Sequence, residues 1–134
     1  GLKFYKMDKK ILLVAAVLGV TAIILGAFGA HGLKKVLSVE QLATFEVGVR
    51  YQMYHALFLL FIGTFAFLGE KERTIIFYLT LAGVLFFSGS IYFLATNTIT
   101  NLKTKFLGPI TPIGGLFLVS AWGYLFYAVL SKKH

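Results

Sequence analysis

The residues most able to do chemistry in this chain stand in four short polar clusters. His31 closes Gly29-Ala30-His31-Gly32, and His55 closes Arg50-Tyr51-Gln52-Met53-Tyr54-His55. Ser88-Gly89-Ser90, followed by Tyr92, and Thr111-Pro112-Ile113-Gly114-Gly115 add hydroxyls. Helical spacing pairs Glu46 with Arg50 in the favoured order for an ion pair, Arg50 with Tyr54, and Tyr51 with His55. A histidine several residues inside an apolar stretch is expensive to bury alone, which makes His55 a functional candidate; the other reading is a neutral ring bonded to Tyr51, Ser88 or a backbone carbonyl. His31 falls where the apolar stretch ends and water is close, so it can face water at little cost, and the structural reading is favoured over the functional one there. The candidate set for binding a ligand or lipid is His55, Arg50, Glu46, Tyr51, Tyr54, His31, Ser88, Ser90 and Thr111.

Other chemistries fit these residues less well. Two imidazoles and Glu46 form a conceivable metal site, but no tight ligand spacing such as His-x-x-x-His is present, and the chain has no cysteine, so neither metal nor cofactor is expected. Ser88 as an intramembrane protease nucleophile wants a glycine two residues earlier, where Phe86 stands, and a histidine on a later helix. Proton-coupled export by a small four-helix antiporter wants an acidic residue within a span, and none is there. No catalytic residue is assigned, and a non-enzymatic protein is expected.

The elements that position these clusters follow from the charge distribution. All charged side chains fall outside four runs, Ile11–Ala30, Tyr51–Gly69, Thr74–Leu102 and Phe106–Ser131, of 20, 19, 29 and 26 residues. A hydrocarbon core of about 30 Å needs roughly 20 helical residues, so each run is long enough to cross a bilayer or at the edge of it. With 58% hydrophobic and 13% charged residues, little is left to solvate a soluble domain. The pattern predicts an all-α, integral membrane four-helix bundle in one domain, with helices over about 10–31, 39–69, 74–96 and 112–131. Ser38 with Gln41 three residues on reads as a capping box opening the second helix. Val39–Val49 is a candidate interfacial amphipathic segment, and Thr111-Pro112 reads as an N-cap with proline at the first helical position. The first span is also readable as a signal peptide, although its length favours a retained helix. Small residues at Ala22, Gly26 and Ala30, and at Gly115 and Gly123, are candidate packing faces.

The net charge of +8 is spread over short segments at the span ends, which suits lipid head groups and not nucleic acid. The side holding both termini and the Glu70–Arg73 turn carries eight basic residues against five on the other, placing both termini in the cytoplasm. Met7 reads as a natural start; without Lys3 and Lys6 the balance is six against five. Because the helices alternate in direction, all four polar clusters fall toward one leaflet. There they form one site or one rim. Lys103 and Lys105, just before the Gly114-Gly115 amides, suit a lipid phosphate or simply a capped helix among head groups.

Gly-Ala-Phe-Gly-Ala-His-Gly at 26–32, Arg-Tyr-Gln-Met-Tyr-His at 50–55, Phe-Ser-Gly-Ser-Ile-Tyr at 87–92 and Gly-Pro-Ile-Thr-Pro-Ile-Gly-Gly at 108–115 together resemble the YgdD/YwdK family. The resemblance covers nearly the whole chain and implies a small four-helix protein of the bacterial inner membrane with no assigned activity. The stretch Thr96–Lys105 is longer than that pattern implies. Two functions then compete: a polar cluster that binds or passes a small molecule, ion or lipid, in an oligomer if it transports, and a structural or interaction protein with no ligand site. Membrane lipids are the expected partners.

Overall fold

The computed structural model describes residues 6–132, and among them every regular element is helical. Four long helices, α1 (Lys6–His31), α2 (Val39–Thr64), α3 (Glu70–Ala95) and α5 (Ile110–Leu130), are joined by short connectors, one of which contains the single turn α4 (Asn97–Thr100). Three stretches are long and apolar enough to cross a membrane: Lys6–Lys35, Glu70–Ala95 and Lys105–Leu130. α2 falls outside that set because Glu40, Glu46, Arg50, Gln52 and His55 lower its hydropathy.

The helix ends are set by local chemistry. α2 opens with a complete capping box: Ser38 Oγ accepts from Gln41 N–H at 3.1 Å, and Gln41 Oε1 accepts from Ser38 N–H at 2.9 Å. It runs unbroken from Val39, so Val39–Val49 is not a separate interfacial segment. Phe45 and Gly48 lie buried there, with Phe45 beneath Gly29 of α1 and its ring 5.1 Å from that of Tyr92 of α3. α2 stops at Thr64 and not near 69. Arg73 explains this, because its guanidinium donates to the carbonyls of Phe65 and Leu68 and holds the turn in a non-helical course. α5 starts at Ile110, ahead of Pro112, and Thr111 is no cap: its hydroxyl lies 3.3 Å from Leu107 O, inside the first turn.

Lipid is as apolar as leucine, so apolar burial does not hold these helices together; close packing and interhelical hydrogen bonds do. α1 packs on α2, α2 on α3, and α3 on α5, with Ile11, Leu59, Phe77 and Leu118 in the shared core. Glycine decides the closest approaches. A Cβ at Gly114 would lie 2.3 Å from Phe87 N, and one at Gly83 would lie 2.5 Å from Leu118 Cδ2, so α3 and α5 touch backbone to backbone. On α1, Ala22 is buried and Gly26 meets Val49, whereas Ala30 is exposed and Gly29 makes the tighter contact. Gly115 and Gly123 are not packing contacts: a Cβ on the first meets only Phe87 at 3.7 Å, and one on the second meets nothing within 4 Å.

At the terminal end of the bundle Arg73 Nε and Nη2 reach the two oxygens of Asp8 at 3.1 and 3.0 Å, with both side chains almost wholly buried. This fork-to-carboxylate pair joins α1 to α3 across the α2–α3 turn. Lys132 pairs with Glu72 at 3.0 Å nearby.

Replacing Gly114 by alanine should destabilise the protein by about 1–3 kcal/mol through overpacking, while the same change at Gly123 should stay within about 0.5 kcal/mol; thermal unfolding in detergent compares them. Asp8→Ala should cost about 3–5 kcal/mol, because it strands a buried guanidinium, and Asp8→Leu combined with Arg73→Met should recover part of that loss. A double variant no more stable than the single one argues against charge burial as the cause.

Candidate functional site

A side chain that cannot reach water must find its partners on neighbouring helices, and the centre of the bundle is built from such pairings. Gln52, only 5% exposed, ties three helices. Its Nε2 donates to Leu18 O at 2.9 Å and to Thr21 Oγ1 at 2.6 Å on α1, while its Oε1 accepts from the Tyr92 hydroxyl of α3 at 2.6 Å. On the next turn of α2, His55 is equally buried. Its Nε2 accepts from Trp122 Nε1–H of α5 at 3.1 Å. Indole can only donate, so the ring proton sits on Nδ1 and is given to Tyr51 O at 2.7 Å. The ring is therefore a neutral imidazole with both nitrogens engaged. Tyr51 lies over it, with centroids 6.5 Å apart and planes 22° from parallel.

The serines are also occupied. Ser88 Oγ–H donates to Gly48 O of α2 at 2.7 Å, an approach that only glycine permits, since a Cβ at position 48 would lie 2.8 Å from the Tyr92 ring. Ser90 Oγ lies 2.6 Å from Phe86 O of its own helix and 2.6 Å from Thr111 Oγ1 of α5. Neither serine donates to a histidine, so no activated nucleophile is assembled at these positions.

The predicted cluster is thus partly gathered and partly not. His55, Ser88 and Ser90 are buried, Thr111 is half-buried beside Ser90, and Tyr51, though exposed, lies over His55. His31, Glu46, Arg50 and Tyr54 are exposed. Glu46 and Arg50 do not pair; the two ion pairs found among the described residues are Asp8–Arg73 and Lys132–Glu72. Nor do the two histidines share a depth. Gly29 faces Phe45 and Gln52 reaches Leu18, so His31 lies at least ten residues of α2, about 15 Å, from the level of His55. The four clusters do lie toward one end, but they form successive layers from the surface to mid-bundle, and no single rim. Among the described residues no group of three or more His, Cys, Asp or Glu gathers as a metal ion would require.

Sequence reasoning missed Gln52, Thr21, Tyr92 and Trp122 as members of this network, although Gln52 and Tyr92 stood within the quoted motifs. A glutamine three residues before a buried histidine was the available signal. Trp122 gave none, because one aromatic in an apolar run looks like any other lipid-facing ring. Asp8 was likewise hidden in a segment read as cationic.

Beside the network, side chains of α2, α3 and α5 line an open concavity of about 600 Å³. Tyr51 and His55 of α2, Phe87 of α3, and Gly115, Trp122 and Gly123 of α5 are among the residues that line it.

The model of a family described as "Protein of unknown function (DUF423)" matches residues 25–115. The UPF0382 membrane protein SH2409 of Staphylococcus haemolyticus is 40% identical over 114 residues, which is 85% of this chain and 89% of the relative. The UPF0382 membrane protein YwdK of Bacillus subtilis is 38% identical over 119 residues, covering 85% and 90%. A UPF0382 membrane protein of Haemophilus influenzae is 34% identical over 127 residues, covering 95% and 98%. No solved structure matches. The resemblance to the YgdD/YwdK group holds, and the chain belongs to the DUF423 family, whose relatives are named UPF0382 membrane proteins.

Proposed function

We propose that this protein is a non-enzymatic, four-crossing protein of the bacterial inner membrane, in which the polar cluster serves to lock helices together and is not itself a ligand site. One observation carries this reading: the deep polar side chains Gln52, His55, Ser88, Ser90 and Tyr92 spend their hydrogen-bonding groups on the protein, and among the described residues only the Thr80 hydroxyl is buried with no partner. A group poised for a ligand or a proton keeps a donor or acceptor free. What remains to meet other molecules is the surface, with Lys34, Lys35, Lys103 and Lys105 exposed toward one end.

Four crossings are favoured over three because α2 packs along both α1 and α3. With connectors of a few residues on either side, α2 must traverse whatever thickness its two neighbours traverse. Its polar residues do not oppose this: Gln52 and His55 are buried against other helices, and Arg50 lies near the level of the α5 start, where a long side chain can reach head groups. The excess of basic residues at the terminal end favours termini in the cytoplasm.

Gln52→Ala should lower stability by about 1–2 kcal/mol, since each interhelical hydrogen bond in a membrane is worth roughly 0.6 and at most about 1.7. An unchanged melting temperature for Gln52→Ala and His55→Ala alike would argue that the cluster is kept for something other than packing. The absence of cysteine makes the topology test clean: single cysteines at Lys34 and Lys71 should react with an impermeant maleimide from opposite faces of the membrane. Labelling of both from the same face would mean that α2 does not cross.

A further inference from the structure

The groove between α2 and α5 is unexplained by helix packing. Most glycines in tight contacts here are there because a neighbour leaves no room, as at Gly48, Gly83 and Gly114. Gly115 and Gly123 have room for a side chain and carry none, and that missing bulk is what opens the groove. Its volume of about 600 Å³ lies within the range of roughly 300–1,000 Å³ typical of small-molecule sites, and its lining is almost wholly apolar. Of its polar groups, His55 has both nitrogens bonded and the Trp122 N–H is spent on His55, which leaves the hydroxyl of the 40%-exposed Tyr51 in an otherwise apolar lining.

Depth and charge indicate what fills it. α5 has 21 residues, about 31 Å, and so matches the hydrocarbon core alone. Gly115 to Val119 therefore lies in the leaflet next to the α5 N-terminus, and Trp122 closes the groove just past the midplane. The neighbouring surface exposes Tyr54, Leu116 and Val119 to that same leaflet. Where the groove meets the head-group level stand Arg50, immediately before the groove-lining Tyr51, and Lys103 and Lys105 in the connector that enters α5. All three are exposed, and none forms an ion pair among the described residues. The same connector exposes Ile99, Leu102 and Phe106, so it carries cations and apolar anchors together, as an interfacial segment does.

We propose that the groove between α2 and α5 holds one acyl chain of an anionic phospholipid, whose phosphate is met by Arg50, Lys103 and Lys105. The tail replaces the side chains that Gly115 and Gly123 lack, and the head group supplies a partner for three cations that no ion pair engages among the described residues. This site lies beside the hydrogen-bonded network and does not depend on the network's own role.

The test uses the full chain purified in detergent, titrated with phosphatidylglycerol or phosphatidylcholine, with bound lipid counted by native mass spectrometry and stability followed by thermal unfolding. Wild type should retain one phosphatidylglycerol in preference to phosphatidylcholine and unfold at a higher temperature with it. Gly123→Leu fills the groove where nothing stands within 4 Å of a new Cβ, so it should keep its helical circular dichroism and lose the retained lipid of both kinds. Gly115→Leu is the second filling variant. Arg50→Gln with Lys105→Gln should weaken phosphatidylglycerol roughly 25-fold, about fivefold for each cation, and weaken the zwitterionic phosphatidylcholine much less. Undiminished lipid retention in both folded leucine variants overturns the proposal. So does a wild-type dimer that Gly123→Leu converts to monomer with no effect of lipid, since the groove would then seat a second copy of the chain.

Discussion

A polar group buried between helices has no water to fall back on, and this fold is arranged around that deprivation. Gln52 is its clearest product: one amide that engages α1 through Leu18 and Thr21 and α3 through Tyr92. Removing a polar residue from such a place leaves several partners without a mate, which is why the same few side chains set both the order and the spacing of the helices. Glycine supplies the other half of the arrangement. Ser88 can donate to Gly48 O only because no side chain at position 48 holds α3 away, and α5 lies directly on the α3 backbone only because position 114 is glycine.

The two ends of the bundle solve the problem differently. At the terminal end a buried carboxylate and guanidinium neutralise each other, and the guanidinium also satisfies the carbonyls released where α2 stops. At the other end α1 and α2 extend past the level at which α5 begins. A small separate core of Leu33, Leu37, Phe45 and Ala95 seals that extension. The charged residues of the second end are left at the surface, where lipid phosphates and water are the available company.

Much of the architecture could be read directly, because charge-free runs of bilayer length and a Ser-x-x-Gln cap are local features. The existence of the four long helices and the opening of α2 at Val39 follow from them. The end of α2 was misjudged, because it depends on Arg73, a residue of the next helix reaching back to carbonyls that the sequence does not mark. The site fared likewise. Residue type singled out His55 and Ser88, but the partner of His55 is an indole 67 positions away, and the sharing of Gln52 among three helices exists only after assembly. The supposed Glu46–Arg50 pair failed because helical spacing permits an ion pair without compelling one. Both side chains are exposed, where water competes for each. Common direction of the spans placed the motifs toward one end, yet direction carries no information on depth, and His31 and His55 proved to be in different layers.

The contact between His55 and Trp122 also gives the molecule a built-in gauge. The chain has a single tryptophan, and its ring stands edge-on to His55 at 6.2 Å and against Phe58 at 4.2 Å, at the place where the outermost helix touches the second. Otherwise α5 packs chiefly along α3. Its separation from α2 is therefore written into the emission of one indole, and intrinsic fluorescence can follow the opening or filling of that seam with no dye attached.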